Sequence, residues 1–334
     1  MNSSLIVIMA WTCPAFNPPE LVGQVSHMEI DEASGLVALE SNRGFWTHND
    51  SGDRARLFAF DHDGASLGQV ELNDVEPIDW EDLSAGPCGD RRCLIVGDIG
   101  DNPSTRSEIL LHRFEEPEPP GSGETLRFDV ETLRVVYPDG ATDAEGLAVD
   151  PLSGDVLIVS KNRRQPISTV YRLGADQWGS ADPVGLESIG EIRWQGEGLA
   201  TLATAATIDP AGQELFVQTY TQGLRIRLQR RNGRIDRLGR AQSFASWSLG
   251  QCEAMAFADQ GQSLWFTCES APAPLAKAIC ATEPPADPAK EPLPQPEAQG
   301  CSGCQHTPID IWATLLLLAL RLRSKGVEPK RRCA

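Results

Sequence analysis

The chain has 334 residues, 41% of them hydrophobic, with 47 acidic against 29 basic side chains and a formal charge of -18. That apolar content supports a packed core and excludes a wholly disordered chain. The acidic balance excludes a nucleic-acid partner, because phosphate neutralisation takes clustered Lys and Arg, and it points instead to cations or basic partners.

Residues 1–19 read as a signal or N-terminal segment. MNSSLIVIMAWTCPAF carries an apolar run without the basic residues that open a secretory signal, so the signal is half formed. The alternative is that Leu5 to Ala10 forms an edge strand.

From Glu20 the chain becomes short alternating strands separated by turn clusters, with no long amphipathic helix. A strand pair recurs: SGLVALE with FWTHND, DWEDLSAG with LIVGDIGDN, DAEGLAVD with VLIVSKN, TAATIDPAG with QELFVQTYT, and QCEAMAF with SLWFTCES. A third strand follows each, and a fourth follows most, as in SLGQVEL, LRFDVETLRVVY, LESIGEIRW and RIDRLGRAQS. Five four-stranded units of roughly 50 to 60 residues predict an all-β protein, a five-bladed β-propeller over residues 20–280. The fifth unit lacks its outer strand, so Leu21 to Ile30 is expected to complete it and close the ring. A six-bladed ring is the alternative, if Glu115 to Tyr137 or Gly179 to Ala206 holds another blade.

Of the nine cysteines, several are placed in pairs. Cys88 and Cys93 flank the turn GDRR, and Cys252 and Cys268 stand at the ends of one hairpin, so each pair can meet disulfide geometry. Ring closure would also bring Cys13 towards Cys280. An oxidising compartment follows; the alternative is a set of buried free thiols. Cys301 and Cys304 lack the second half of a zinc motif.

Residues 281–300 are a Pro-rich linker, expected to be extended. Residues 301–334 hold a Gly-Cys motif, an apolar run from Ile309 to Leu320 interrupted by Asp310, and a cluster including Arg321, Arg323, Lys325 and Arg331. The run is shorter than the roughly 20 residues that span a bilayer. This order nevertheless resembles the carboxy-terminal sorting tails of myxobacterial surface proteins, which implies a membrane partner for the tail and an extracellular propeller.

In a propeller, the approach to each first strand and the exit from each second strand share one face. On that face fall Glu81, Asp82, Asp98, Asp101, Glu145 and Glu253, the candidate metal ligands, with His48 and Lys161. Crowded carboxylates raise one another's pKa unless a cation neutralises them. Oxygen-only ligands suit Ca²⁺ better than Zn²⁺. The plainer alternative is that such acids cap turns, which applies most to Asp50, Asp53 and Asp101. His48, beside a carboxylate, would be a general acid or base, or else a hydrogen-bonded corner residue. Lys161 would hold an anionic substrate or neutralise the acids. No GxSxG, P-loop or HExxH motif is present.

WTHNDSGD, DWEDL, VGDIGDN and DAEGLAVDP together resemble a family of bacterial extracellular propeller proteins to which no settled activity is attached. More distantly, acidic-mouthed propellers include calcium-dependent lactonases and phytase-like phosphoesterases. The reading is a surface-tethered propeller whose acidic mouth binds Ca²⁺ and an external ligand or small molecule. Its rival is a metal-dependent hydrolase with His48, Glu145 and Lys161 as catalytic residues. A structural envelope protein is the third reading.

Overall fold

A computed structural model describes residues 13–27, 29–246 and 250–281. The expected helix, linker and basic tail beyond Ala281, and the apolar run before Cys13, lie outside the described residues.

The chain forms strands almost throughout. After β1 (Glu20–Val25), blade one is built from β2 (Ala33–Ala38), β3 (Gly44–Asn49), β4 (Arg56–Asp61) and β5 (Ser66–Leu72). Blade two holds β6 (Trp80–Cys88), β7 (Arg91–Asp98) and β8 (Ile109–Glu115); β9 (Thr125–Phe128) follows, then β10 (Glu131–Val136) as its fourth strand. Blade three holds β11 (Ala144–Val149), β12 (Val156–Ser160) and β13 (Ile167–Leu173), with β14 (Val184–Gly185) preceding its outer strand β15 (Glu187–Arg193). Blade four is β16 (Ala203–Ile208), β17 (Glu214–Thr219), β18 (Gly223–Arg231) and β19 (Arg234–Phe244). Blade five is β20 (Ala254–Ala258), β21 (Ser263–Thr267) and β22 (Ala273–Ile279), completed by β1 from the other end of the chain. The five sheets make a five-bladed propeller.

Two expectations are corrected in detail. LRFDVETLRVVY is not one strand. Its first half, β9, pairs in parallel with β5 of blade one, and only its second half, β10, pairs with β8. Likewise β14 leaves blade three to pair in parallel with β10 of blade two. The two long segments thus supply fifth strands that cover the outer edges of blades one and two, where unpaired N–H and C=O groups would otherwise face solvent. They do not hold a sixth blade.

Runs such as LIVG in β7 and VLIV in β12 are apolar at every position because a blade is buried on both faces. Alternate side chains face the preceding and the following blade. Five apolar clusters result, one at each interface: Trp46 and Leu57 against Leu83 and Leu94 between blades one and two, for example, and Phe45 and Phe58 against Trp265 and Leu275 between blades five and one.

Ring closure is both hydrogen-bonded and covalent. β1 pairs antiparallel with β22 from Glu20↔Lys277 to Val25↔Ala273, and a bridge between Phe16 and Cys280 continues the contact. Beside it Cys13 is bonded to Cys280. Cys88–Cys93 and Cys252–Cys268 are likewise disulfides, so both sequence-expected pairs and the closing pair are present. Because Cys13–Cys280 ties residues 267 apart in sequence, it removes much chain freedom from the unfolded state. The double variant Cys13→Ser/Cys280→Ser should lose about 2–4 kcal/mol of unfolding free energy in urea titration, while Cys88→Ser/Cys93→Ser, which opens a short loop, should lose less.

Candidate functional site

Four of the five innermost strands carry an irregularity at the same level. Pairing jumps a residue between Ser34 and Leu36, Trp80 and Asp82, Ala144 and Gly146, and Ala203 and Ala205, leaving Gly35, Glu81, Glu145 and Thr204 as bulged residues. In blade five the matching residue is Glu253, which lies between the Cys252–Cys268 disulfide and the Ala254↔Thr267 pair. A bulge re-aims the extra side chain. Here it gathers three glutamates at one end of the ring. Gly35 must be glycine: its φ is +67°, and a Cβ there would lie 2.6 Å from the Leu83 backbone nitrogen.

The next residue in blade two, Asp82, is directed differently. Its Oδ1 accepts from the Leu83 amide at 2.8 Å, and its Oδ2 accepts from the amides of Leu147 at 2.7 Å and Ala206 at 3.2 Å. One carboxylate therefore joins blades two, three and four. Beyond it the opposite end of the ring opens as a separate cavity of about 560 Å³, lined by residues such as Leu36, Ser84, Val149 and Phe257.

Three groups of carboxylates at the mouth bring one oxygen each within 4.8 Å of one another: Glu81 with Asp143 and Glu145, Asp50 with Asp79 and Glu81, and Asp50 with Glu253 and Glu269. These groups could hold a metal ion. Glu81, Glu145 and Glu253 are buried, each about 3% exposed. Asp143 Oδ1 accepts the Asp101 amide at 2.9 Å, while its Oδ2 and Glu145 Oε2 make no hydrogen bond. Gly100 provides the room, since a Cβ there would lie 2.2 Å from Glu81 Oε1 and 2.4 Å from Asp79 Oδ2.

Lys161, 4% exposed, donates to Glu145 Oε1 and, at 3.1 Å, to the Tyr220 hydroxyl. Tyr220 in turn donates to Glu253 Oε1. Arg163 stands further off, with Nε 3.6 Å from Asp143 Oδ2 and Nη2 3.7 Å from Glu145 Oε1.

The sequence-expected residues divide by what they touch. Glu81, Glu145 and Glu253 fall in the carboxylate groups and Lys161 beside them. Asp82 is consumed by amides. Asp98, fully buried, pairs with Arg106 at 2.8 Å and accepts the Ile78 and Asp79 amides. Asp101 accepts the amides of Thr105 and Arg106, closing a turn. His48 is wholly buried, its Nδ1–H donating to the Asn49 carbonyl at 2.7 Å and its ring edge-on to Trp80. Burial pushes its pKa down to about 4, so it stands neutral inside the blade. Asp50, Asp79, Asp143 and Glu269 belong to the groups although they were not among the six candidate ligands; their signal was position beside a first-strand start or second-strand end.

Desolvation sets the electrostatics. Burial, then Glu145 and Asp50, push Glu81 well above the ordinary carboxylate range. Burial carries Glu145 up to about 8, against the pull of Lys161 and with help from Glu253. Glu269 is raised to about 8 by burial and by its hydrogen bond to Glu253, and Asp50 to about 6 by burial, then by Glu253 and Asp79.

No protein-family model matches the chain, and no curated protein matches its sequence. Among solved structures it is similar to a luciferin-regenerating enzyme, at 10% identity and TM-score 0.42, over 79% of this chain and 95% of that one. It is also similar to Kuenenia stuttgartiensis hydrazine synthase, at 9% identity and TM-score 0.41, over 75% of this chain and 72% of that one. Likenesses this distant carry no chemistry, and the propeller rests on the strand pairing itself. Among the described residues no helix is long and apolar enough to cross a membrane. The three disulfides suggest a secreted, extracellular protein.

The raised carboxylates fix a sign. Glu145 and Glu269 hold protons in the folded state up to about pH 8 and release them near 4.5 when unfolded, so their contribution to stability is lost as pH rises through 8. His48 and His112, lowered to about 4, work in the opposite sense but only below pH 6.5. In chelator, the melting temperature should therefore fall between pH 6.5 and 8. A flat or rising melting temperature over that window would contradict these environments.

Proposed function

We propose that the protein is an extracellular binding module whose channel mouth loads Ca²⁺ and presents it to an external ligand, with residues 301–334 tethering it to the cell surface. One observation carries this reading: Glu81, Asp143 and Glu145 converge in a buried cluster where Asp143 Oδ2 and Glu145 Oε2 have no hydrogen-bond partner. Buried carboxylates left half satisfied are costly unless a cation completes them. The donors are all oxygens, and oxygens within 4.8 Å of one another suit an ion with ligands at about 2.3–2.6 Å. Cys and His ligands, which favour Zn²⁺, are missing from the three groups.

The cation would also repay the electrostatic cost of ionising the cluster. Because carboxylates must lose their protons to ligate, Ca²⁺ affinity rises with pH up to about 8. At pH 7.5 the protein should melt at a higher temperature in Ca²⁺ than in chelator, since an ion bound only by the folded state shifts the midpoint by mass action. Identical curves, with no metal found by elemental analysis of the purified protein, would remove the cation from the reading.

A second reading has its own observation. Glu145, with a free oxygen and a proton exchangeable near neutrality, is equipped as a general acid or base beside a cation that would polarise an ester, lactone or phosphate. In that case Glu145→Gln abolishes turnover on an ester, lactone and phosphate panel without lowering the melting temperature. No turnover by the wild type on any of the three would leave the binding module alone.

A further inference from the structure

A cleft of about 380 Å³ adjoins the Glu81–Asp143–Glu145 group, shares Asp143 with it and is also lined by Lys161. Its wall differs from the mouth. It presents the guanidinium groups of Arg163 and Arg164, the amide of Asn102 and hydroxyls such as those of Thr142 and Tyr171. Arg164 makes no ion pair with its side chain among the described residues. The Arg163 side chain, 47% exposed, hydrogen-bonds Asn102 Oδ1 and lies over Asp143 and Glu145 at distances too long for hydrogen bonds. Two of the three N–H groups of the Lys161 ammonium are already engaged, by Glu145 and Tyr220.

We propose, resting on the cation reading above, that this cleft binds the oxyanion of a hydroxylated ligand, a carboxylated or sulfated sugar in chemical class, between the bound cation and Arg163, and only once the cation is in place. Without the cation, Arg163 is held over Asp143 and Glu145, and an incoming oxyanion lacks its opposite contact. A cation ligated by Glu81, Asp143 and Glu145 takes over their neutralisation and repels the guanidinium. The planar fork is then free to meet an oxyanion, which it matches in two-point geometry, while the cation supplies the opposite contact. The hydroxyl and amide groups of the wall suit the sugar hydroxyls. Coupling of this kind is reciprocal, so the anion must tighten cation binding by the same factor.

The test is isothermal titration of the full chain with D-glucuronate, sodium sulfate and neutral D-galactose, each in Ca²⁺ and in chelator, with melting curves alongside. Glucuronate affinity should rise at least about tenfold when Ca²⁺ is present; sulfate should compete with it, and galactose should show no Ca²⁺-dependent binding. Arg163→Gln should lose the glucuronate signal while keeping the Ca²⁺-induced rise in melting temperature, and Arg163→Lys should fall between. A Ca²⁺ shift with no glucuronate or sulfate binding, with equal binding in chelator, or with Arg163→Gln binding like wild type overturns this inference and leaves the cation reading standing. Absence of the Ca²⁺ shift overturns both.

Discussion

The Asp82 carboxylate is the point on which the interior depends. A propeller's innermost strands diverge from a common axis, and the amides facing that axis have no neighbouring strand to pair with. Asp82 meets three of them, from blades two, three and four, with both oxygens. Ser34 and Ser84 extend the pattern: Ser34 Oγ donates to the Glu81 carbonyl, and Ser84 Oγ accepts the Val149 amide at 2.9 Å. Buried backbone groups left unpaired would cost about 1–3 kcal/mol each, so these few side chains close the axis and let the two ends of the ring differ in character.

Above that closure, the bulges make the mouth lopsided. Blades two, three and five place Glu at the bulged level, whereas blade one has Gly35 and blade four has Thr204, whose hydroxyl donates to the Cys252 carbonyl at 3.0 Å. The most deeply buried group of carboxyls, Glu81–Asp143–Glu145, lies between blades two and three, where the exits also bring Lys161 and Arg163. The Lys161–Tyr220–Glu253 chain of hydrogen bonds spans towards blade five. A ring of five similar units thus yields a site with direction, because one residue per blade departs from the repeat.

Much of this was legible in the sequence because it is periodic. The paired strands, their acidic ends and the orphan outer strand of blade five repeat often enough to be counted, and the cysteine spacing agrees with the hairpins. What escaped is what has no period. β14 is two residues long and β9 four, and each pairs in parallel with a different blade, which no local alternation announces. A bulge shifts one residue without changing composition, so Glu81 and Asp82 look alike in DWEDL yet end in a carboxylate cluster and an amide clamp respectively. His48 misleads for the same reason: its neighbours Asn49 and Asp50 reach the mouth, but alternation along β3 turns its ring into the packing against Trp80.

The seam between β1 and β22 has a geometric corollary. β22 starts at the level of the acidic mouth and runs away from it, so the chain leaves the ring at Cys280, beside the turn before β21, on the opposite end. The N-terminal stretch is pinned at that same place by Cys13. The chain therefore leaves the ring at the end opposite the carboxylates. A load carried by the chain beyond Ala281 would fall on the Cys13–Cys280 disulfide and the paired strands β1 and β22, away from the carboxylate end.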